Sequence, residues 1–67
     1  MYGRIWIKHR GFTRSFRTLD NEYVYNYLRC CGCDHEEAAD IADWAENAPI
    51  GAEYLPGDPG LEIWISE

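Results

Sequence analysis

A chain of 67 residues with six Lys or Arg against twelve Asp or Glu, a net charge of −6, is long enough for one domain and too short for two. Net acidity argues against general nucleic-acid binding, because affinity for a phosphate backbone comes from neutralising its charge. No apolar run approaches the ~18–20 residues a bilayer-spanning helix needs.

The charge is segregated along the chain. Arg4, Lys8, Arg10, Arg14 and Arg17 precede any acid, whereas from Asp20 onward Arg29 stands alone against all twelve acids. Arg4 occupies the place where a secretory leader carries its apolar stretch. Residues 1–67 are therefore expected to form a single cytoplasmic domain with no membrane partner and no cofactor. A domain of this size buries only about 60% of the surface its unfolded chain exposes, so it depends on large side chains. Three Trp, five Tyr and two Phe supply them, and Trp6, Trp44 and Trp64 are expected in the core.

Taken in order, Tyr2 to Lys8 alternates, with Ile5 and Ile7 on one side and Arg4, Trp6 and Lys8 on the other, which predicts a half-buried strand. His9-Arg10-Gly11 reads as a turn, with Gly11 free to adopt positive φ. Phe12 to Thr18 completes a hairpin. Thr18 or Asp20 is placed to cap a helix whose buried face is Val24, Tyr27, Leu28 and Cys31, and Gly32 ends it. Asp34 opens a second helix, with Glu37 at capping-box spacing. Its apolar stripe is Ala38, Ile41, Ala45 and Ala48, widened by Trp44, and Pro49 stops it. Residues 49–60 form a connector, and Pro56-Gly57-Asp58-Pro59-Gly60 has dense turn chemistry.

Leu61 to Glu67 alternates again. Glu62-Ile63-Trp64-Ile65-Ser66 matches Arg4-Ile5-Trp6-Ile7-Lys8 position for position, with the leading charge reversed. This predicts neighbouring strands whose isoleucines share the core face and whose opposite charges pair. The element order β-β-α-α-β gives a two-layer α+β fold, a three-stranded sheet with a helical hairpin on one face. Trp6 and Trp64 then lie together on the outer face, either as a stabilising cross-strand pair or as an exposed apolar patch of the type enriched in binding anchors.

Cys30, Cys31 and Cys33 are clustered and odd in number, a poor disulfide framework. Cys30, Cys33 and His35 are weak candidates for a metal, since a structural zinc site ordinarily draws a second ligand pair from elsewhere in the chain. Low-pKa thiol chemistry is disfavoured where Cys30 and Cys31 meet the negative end of a helix dipole. No nucleophile triad, phosphate loop or dinucleotide turn is present, and the chain is not expected to be an enzyme. Arg10, Arg14 and Arg17, interleaved with Phe12 and Phe16, match the pattern of a nucleic-acid surface; internal pairing with the chain's own acids is the simpler expectation.

The acids after Arg29 are the sharper feature, with ten carboxylates and no Lys or Arg. Glu36, Asp40, Asp43 and Glu46 run along one helix side and are the candidate partner-binding residues, with Glu53, Tyr54, Trp6 and Trp64 as flanking contacts and anchors. Excess negative charge also serves solubility. The stretches Glu37-Ala38-Ala39-Asp40-Ile41-Ala42-Asp43-Trp44-Ala45-Glu46-Asn47-Ala48, Gly51-Ala52-Glu53-Tyr54 and Leu61-Glu62-Ile63-Trp64-Ile65 resemble small acidic single-domain proteins encoded by phages and mobile elements, among them anti-CRISPR and anti-restriction inhibitors. The resemblance covers under half the chain and assigns no residue a role. It implies an inhibitor or adaptor; the charge pattern makes the acidic helix the surface expected to dock onto a larger protein with a basic surface, such as a nucleic-acid-processing enzyme. Two other readings stay open: a nucleic-acid-binding accessory protein using the basic hairpin, and a small metal-binding module. A homodimer through the tryptophan face is also open.

Overall fold

The computed structural model describes residues 3–56 and 60–67. Its elements are β1 (Arg4–His9), β2 (Phe12–Arg17), α1 (Asn21–Cys30), α2 (His35–Asn47), β3 (Glu53–Tyr54) and β4 (Leu61–Ser66). The strands form one antiparallel sheet in the order β2-β1-β4-β3. The α+β class is as expected, but the sheet has four strands where three were predicted. The added strand is the two-residue β3, extended by bonds from Gly51 N–H to the Ile65 carbonyl and from Ile65 N–H to the Ala52 carbonyl, both 2.9 Å. Of the turn expected over residues 56–60, residues 57–59 lie outside the described residues, as does Tyr2 of the first strand.

The matched strands are neighbours. Ile5 pairs with Ile65, Trp6 with Trp64, Ile7 with Ile63 and Lys8 with Glu62. The period-two alternation therefore sorts the side chains cleanly. Ile5, Ile7, Leu61, Ile63 and Ile65 are buried against the helices, and Trp6 and Trp64 are half-buried on the other face. The β1–β2 turn holds Arg10 at φ 51° and Gly11 at φ 87°, the two successive positive values of a tight type I′ hairpin.

Val24 and Leu28 of α1 meet Ala38, Ile41, Ala42 and Ala45 of α2 over the isoleucines. Trp44 and Ala48 reach the edge of this core half-buried, so Trp44 contributes to it from the rim. Asp20 occupies the N-cap position of α1 but makes no side-chain cap bond. Its carboxylate is instead held by the Arg17 guanidinium at 2.9 Å, and Thr18 is buried. The Asp20 carboxylate thus faces Arg17 in place of the free amides of α1. α1 ends in a Schellman motif: Gly32 N–H donates to the Arg29 carbonyl and Cys33 N–H to the Leu28 carbonyl, both 3.1 Å, with Gly32 at φ 101°. α2 begins one residue after Asp34, whose Oδ1 accepts the Glu37 N–H at 2.8 Å.

Candidate functional site

α2 exposes Glu36, Asp40, Asp43 and Glu46 on the side away from its buried alanines. Asp34, Glu37 and these four place six acids within about 18 Å of helix axis at ~1.5 Å per residue. The four on the exposed side, Glu36 to Glu46, span about 15 Å of axis, roughly 5 Å per charge. Among the described residues the ion pairs are Lys8–Glu62 at 3.7 Å and Arg17–Asp20, so no cation neutralises the α2 row. Its only side-chain partners there are neutral: Asp34 receives the Glu37 amide, and Glu46 accepts from the Asn21 amide at 2.6 Å.

The row acts on its helix in both directions: Asp34, Glu36 and Glu37 lie at the positive end of the dipole, whereas the acids also repel one another along the exposed side. Glu36–Asp40, Glu37–Asp40, Asp40–Asp43 and Asp43–Glu46 are like-charge neighbours at i,i+3 or i,i+4 spacing, each destabilising by ~0.2–0.5 kcal/mol. The last turn of α2 carries no basic residue, so Glu46 also faces the negative end of the helix dipole. Solubility alone requires neither alignment nor this placement.

Tyr54, Leu55 and Pro56 flank the N-terminal half of α2, closing a shallow groove with Asp34, Glu36, Glu37 and Asp40. Tyr54 is half-buried and packs edge-on against Trp44 at 5.2 Å, while Leu55 is 92% exposed. The expected site does not come together as one surface. Trp6, Trp64 and Glu53 share a row on the opposite face of the sheet, separated from the acidic helix by the full thickness of the core. Period-two alternation already places Glu53 and Tyr54 on opposite faces. Leu55 was missed because a lone exposed apolar residue in a connector gives no sequence signal.

The basic hairpin is engaged internally, though less with acids than expected. Arg17 pairs with Asp20. Arg14 lies 5.8 Å from the Phe16 ring and 5.5 Å from Tyr27, a cation–π arrangement. Arg4 Nε donates to Ser15 Oγ at 3.1 Å. Phe12 projects 76% exposed at the hairpin end.

Cys30, Cys33 and His35 form no common centre: no group of three metal-ligating side chains occurs among the described residues. Cys33 is buried, Cys30 is exposed, and His35 Nδ1 is bonded to the Tyr25 hydroxyl at 2.6 Å. Burial raises the Cys31 thiol above its ordinary 9.0, the Tyr27 hydroxyl pulling the other way, and burial together with Cys31 raises Tyr27 above 10.0. The unfolded chain therefore ionises first as pH rises. Stability is expected to be flat from pH 6 to 8 and to fall above about pH 9, and Cys31→Ala should flatten that fall in urea titrations. A thiol reagent should modify Cys30 rapidly and Cys31 only on unfolding; equal rates would contradict the packing of α1.

No helix of the described residues is long and apolar enough to cross a membrane. Compared with family models, curated proteins and solved structures, the chain shows no match.

Proposed function

We propose that the protein is a non-enzymatic inhibitor or adaptor that docks the acidic face of α2 into a basic, nucleic-acid-binding site on a larger protein, most concretely a phage-type inhibitor of a CRISPR effector or similar defence enzyme. The observation that carries this is the row of exposed like-charge neighbours along one side of α2 that no cation among the described residues neutralises. Proteins tend to break local rules of this kind at functional sites. A low-dielectric basic channel would favour such a row and steer its approach. Tyr54 and Leu55 beside the row supply apolar contact at its edge.

The test is competition. The protein should displace guide RNA or target DNA from a susceptible member of a panel of purified effectors, with an inhibition constant that weakens steeply as salt rises. The variant Asp40→Gln/Asp43→Gln/Glu46→Gln should lose at least tenfold in inhibition. The same variant should gain about 0.8–2 kcal/mol of stability, since it removes all four like-charge pairs. Equal potency of wild type and variant would overturn the reading, as would a failure of both to displace nucleic acid from every effector.

A further inference from the structure

The outer face of the sheet is covered by neither helix, and its charges are divided across the strands. One row of this face reads Ser15, Trp6, Trp64, Glu53 from β2 to β3. The rows on either side read Arg17, Arg4, Ser66 and Thr13, Lys8, Glu62. The β2/β1 rows thus carry three cations, of which Arg17 is held by Asp20, and the β4/β3 rows carry two acids, of which Glu62 lies 3.7 Å from Lys8 of the same copy. Between them Trp6 and Trp64 stack with centroids 6.4 Å apart and planes 8° from parallel. The Trp6 indole N–H is enclosed and has no acceptor.

We infer that this face binds a second copy of the chain, related by a two-fold axis parallel to the strands. Such an axis lays β1 of one copy over β4 of the other and β2 over β3. Each cationic half then meets an acidic half. The two tryptophan pairs meet at the axis, Lys8 faces Glu62 of the second copy, and Glu53 of the second copy lies over Ser15. An axis perpendicular to the strands would instead lay Lys8 over Arg4, cation on cation. The favoured arrangement is isologous and closed, and it keeps strand directions aligned as in face-to-face sheet packing. Both α2 faces remain outward, so the pairing is independent of the inhibitor reading.

The face is small. Four strands about 4.8 Å apart and six residues at about 3.3 Å give a patch of roughly 15 by 20 Å, well under the ~800 Å² per partner of stable complexes. The dimer is accordingly weak and is populated only at high protein concentration.

Sedimentation equilibrium from 10 µM to 1 mM at low salt tests this directly. Wild type should move from monomer to dimer and no further. Glu62→Lys should weaken dimerisation at least tenfold by setting four cations together at the axis. The swap Lys8→Glu/Glu62→Lys should restore it to within about threefold, because the two-fold arrangement pairs the exchanged charges equally well. Lys8 and Glu62 are both exposed, and circular dichroism verifies that each variant is folded. The Trp6 indole N–H resonance should shift with concentration in wild type and in the swap. A monomer at 1 mM, undiminished dimerisation of Glu62→Lys, failure of the swap to rescue, or a Trp6 resonance indifferent to concentration would each overturn the inference.

Discussion

Replacing Ile7 with alanine is expected to unfold a large fraction of the molecule at room temperature. Ile7 is fully buried in β1, one of the two central strands, between Arg14 of β2 and Ile63 of β4. Removing a buried aliphatic side chain of this size costs about 2–5 kcal/mol, the transfer term plus the cavity left behind. On the β4 side the cavity is bounded by Ile63 and Ile65, which sheet register holds in place; on the β2 side Arg14 is the neighbour. Folded domains have roughly 0.05–0.15 kcal/mol of stability per residue, so this chain has about 3–10 kcal/mol in all. The loss is a large share of it. Urea titration should show a much lower midpoint, or no folded baseline, while Thr13→Ala on the exposed edge strand should stay within about 0.5 kcal/mol. A shift for Ile7→Ala no larger than that of Thr13→Ala would mean the inner face of the sheet is not packed as described.

Gly32→Ala is the second large effect, and it arises without any clash. An added Cβ at Gly32 meets nothing within 4 Å, yet the backbone stands at φ 101°. A residue with a side chain is strained there by about 1–3 kcal/mol. The joint has little freedom to relax. Cys33, the next residue, is buried and donates to the Leu28 carbonyl, and Asp34 immediately caps α2. Relief of φ would have to break the Schellman bonds or pull α2 off the isoleucines. For a domain of 60–100 residues each kcal/mol moves the melting temperature by roughly 4–8 °C, so a fall of about 5–20 °C is expected. An unchanged melting temperature would show that the helices can be joined in another way.

How much of this was legible in the sequence depends on whether a feature has a period. The isoleucines at 5, 7, 63 and 65 announce their face by alternation, and the likeness of residues 4–8 to 62–66 predicts that these two strands are neighbours. Val24 and Leu28, then Ala38, Ile41 and Ala45, follow the helical repeat and are buried. β3 was not legible, because two residues in a Gly- and Pro-rich connector show no repeat; pairing with β4 makes it a strand. Asp20 was read as a cap because sequence shows the candidate acceptor and not its competitor, the Arg17 guanidinium three residues back. The candidate site was legible as a row along α2. Its supposed union with Trp6 and Trp64 failed because sequence gives each element's faces and leaves open which faces the layers bring together.

The place of β4 has a further consequence, for how the molecule folds. The β1–β2 hairpin and the α1–α2 pair each join residues close along the chain and close at little entropic cost. The pairing of β1 with β4 joins residues as far apart as Arg4 and Ser66, and it fills the middle of the sheet. Until β4 arrives, the hairpin and helices have no common core, and Ile5 and Ile7 face only half their partners. Non-local pairings of this kind slow folding relative to helical bundles of the same size. Truncating side chains in β4 should therefore slow folding, because the pairing they support belongs to the barrier.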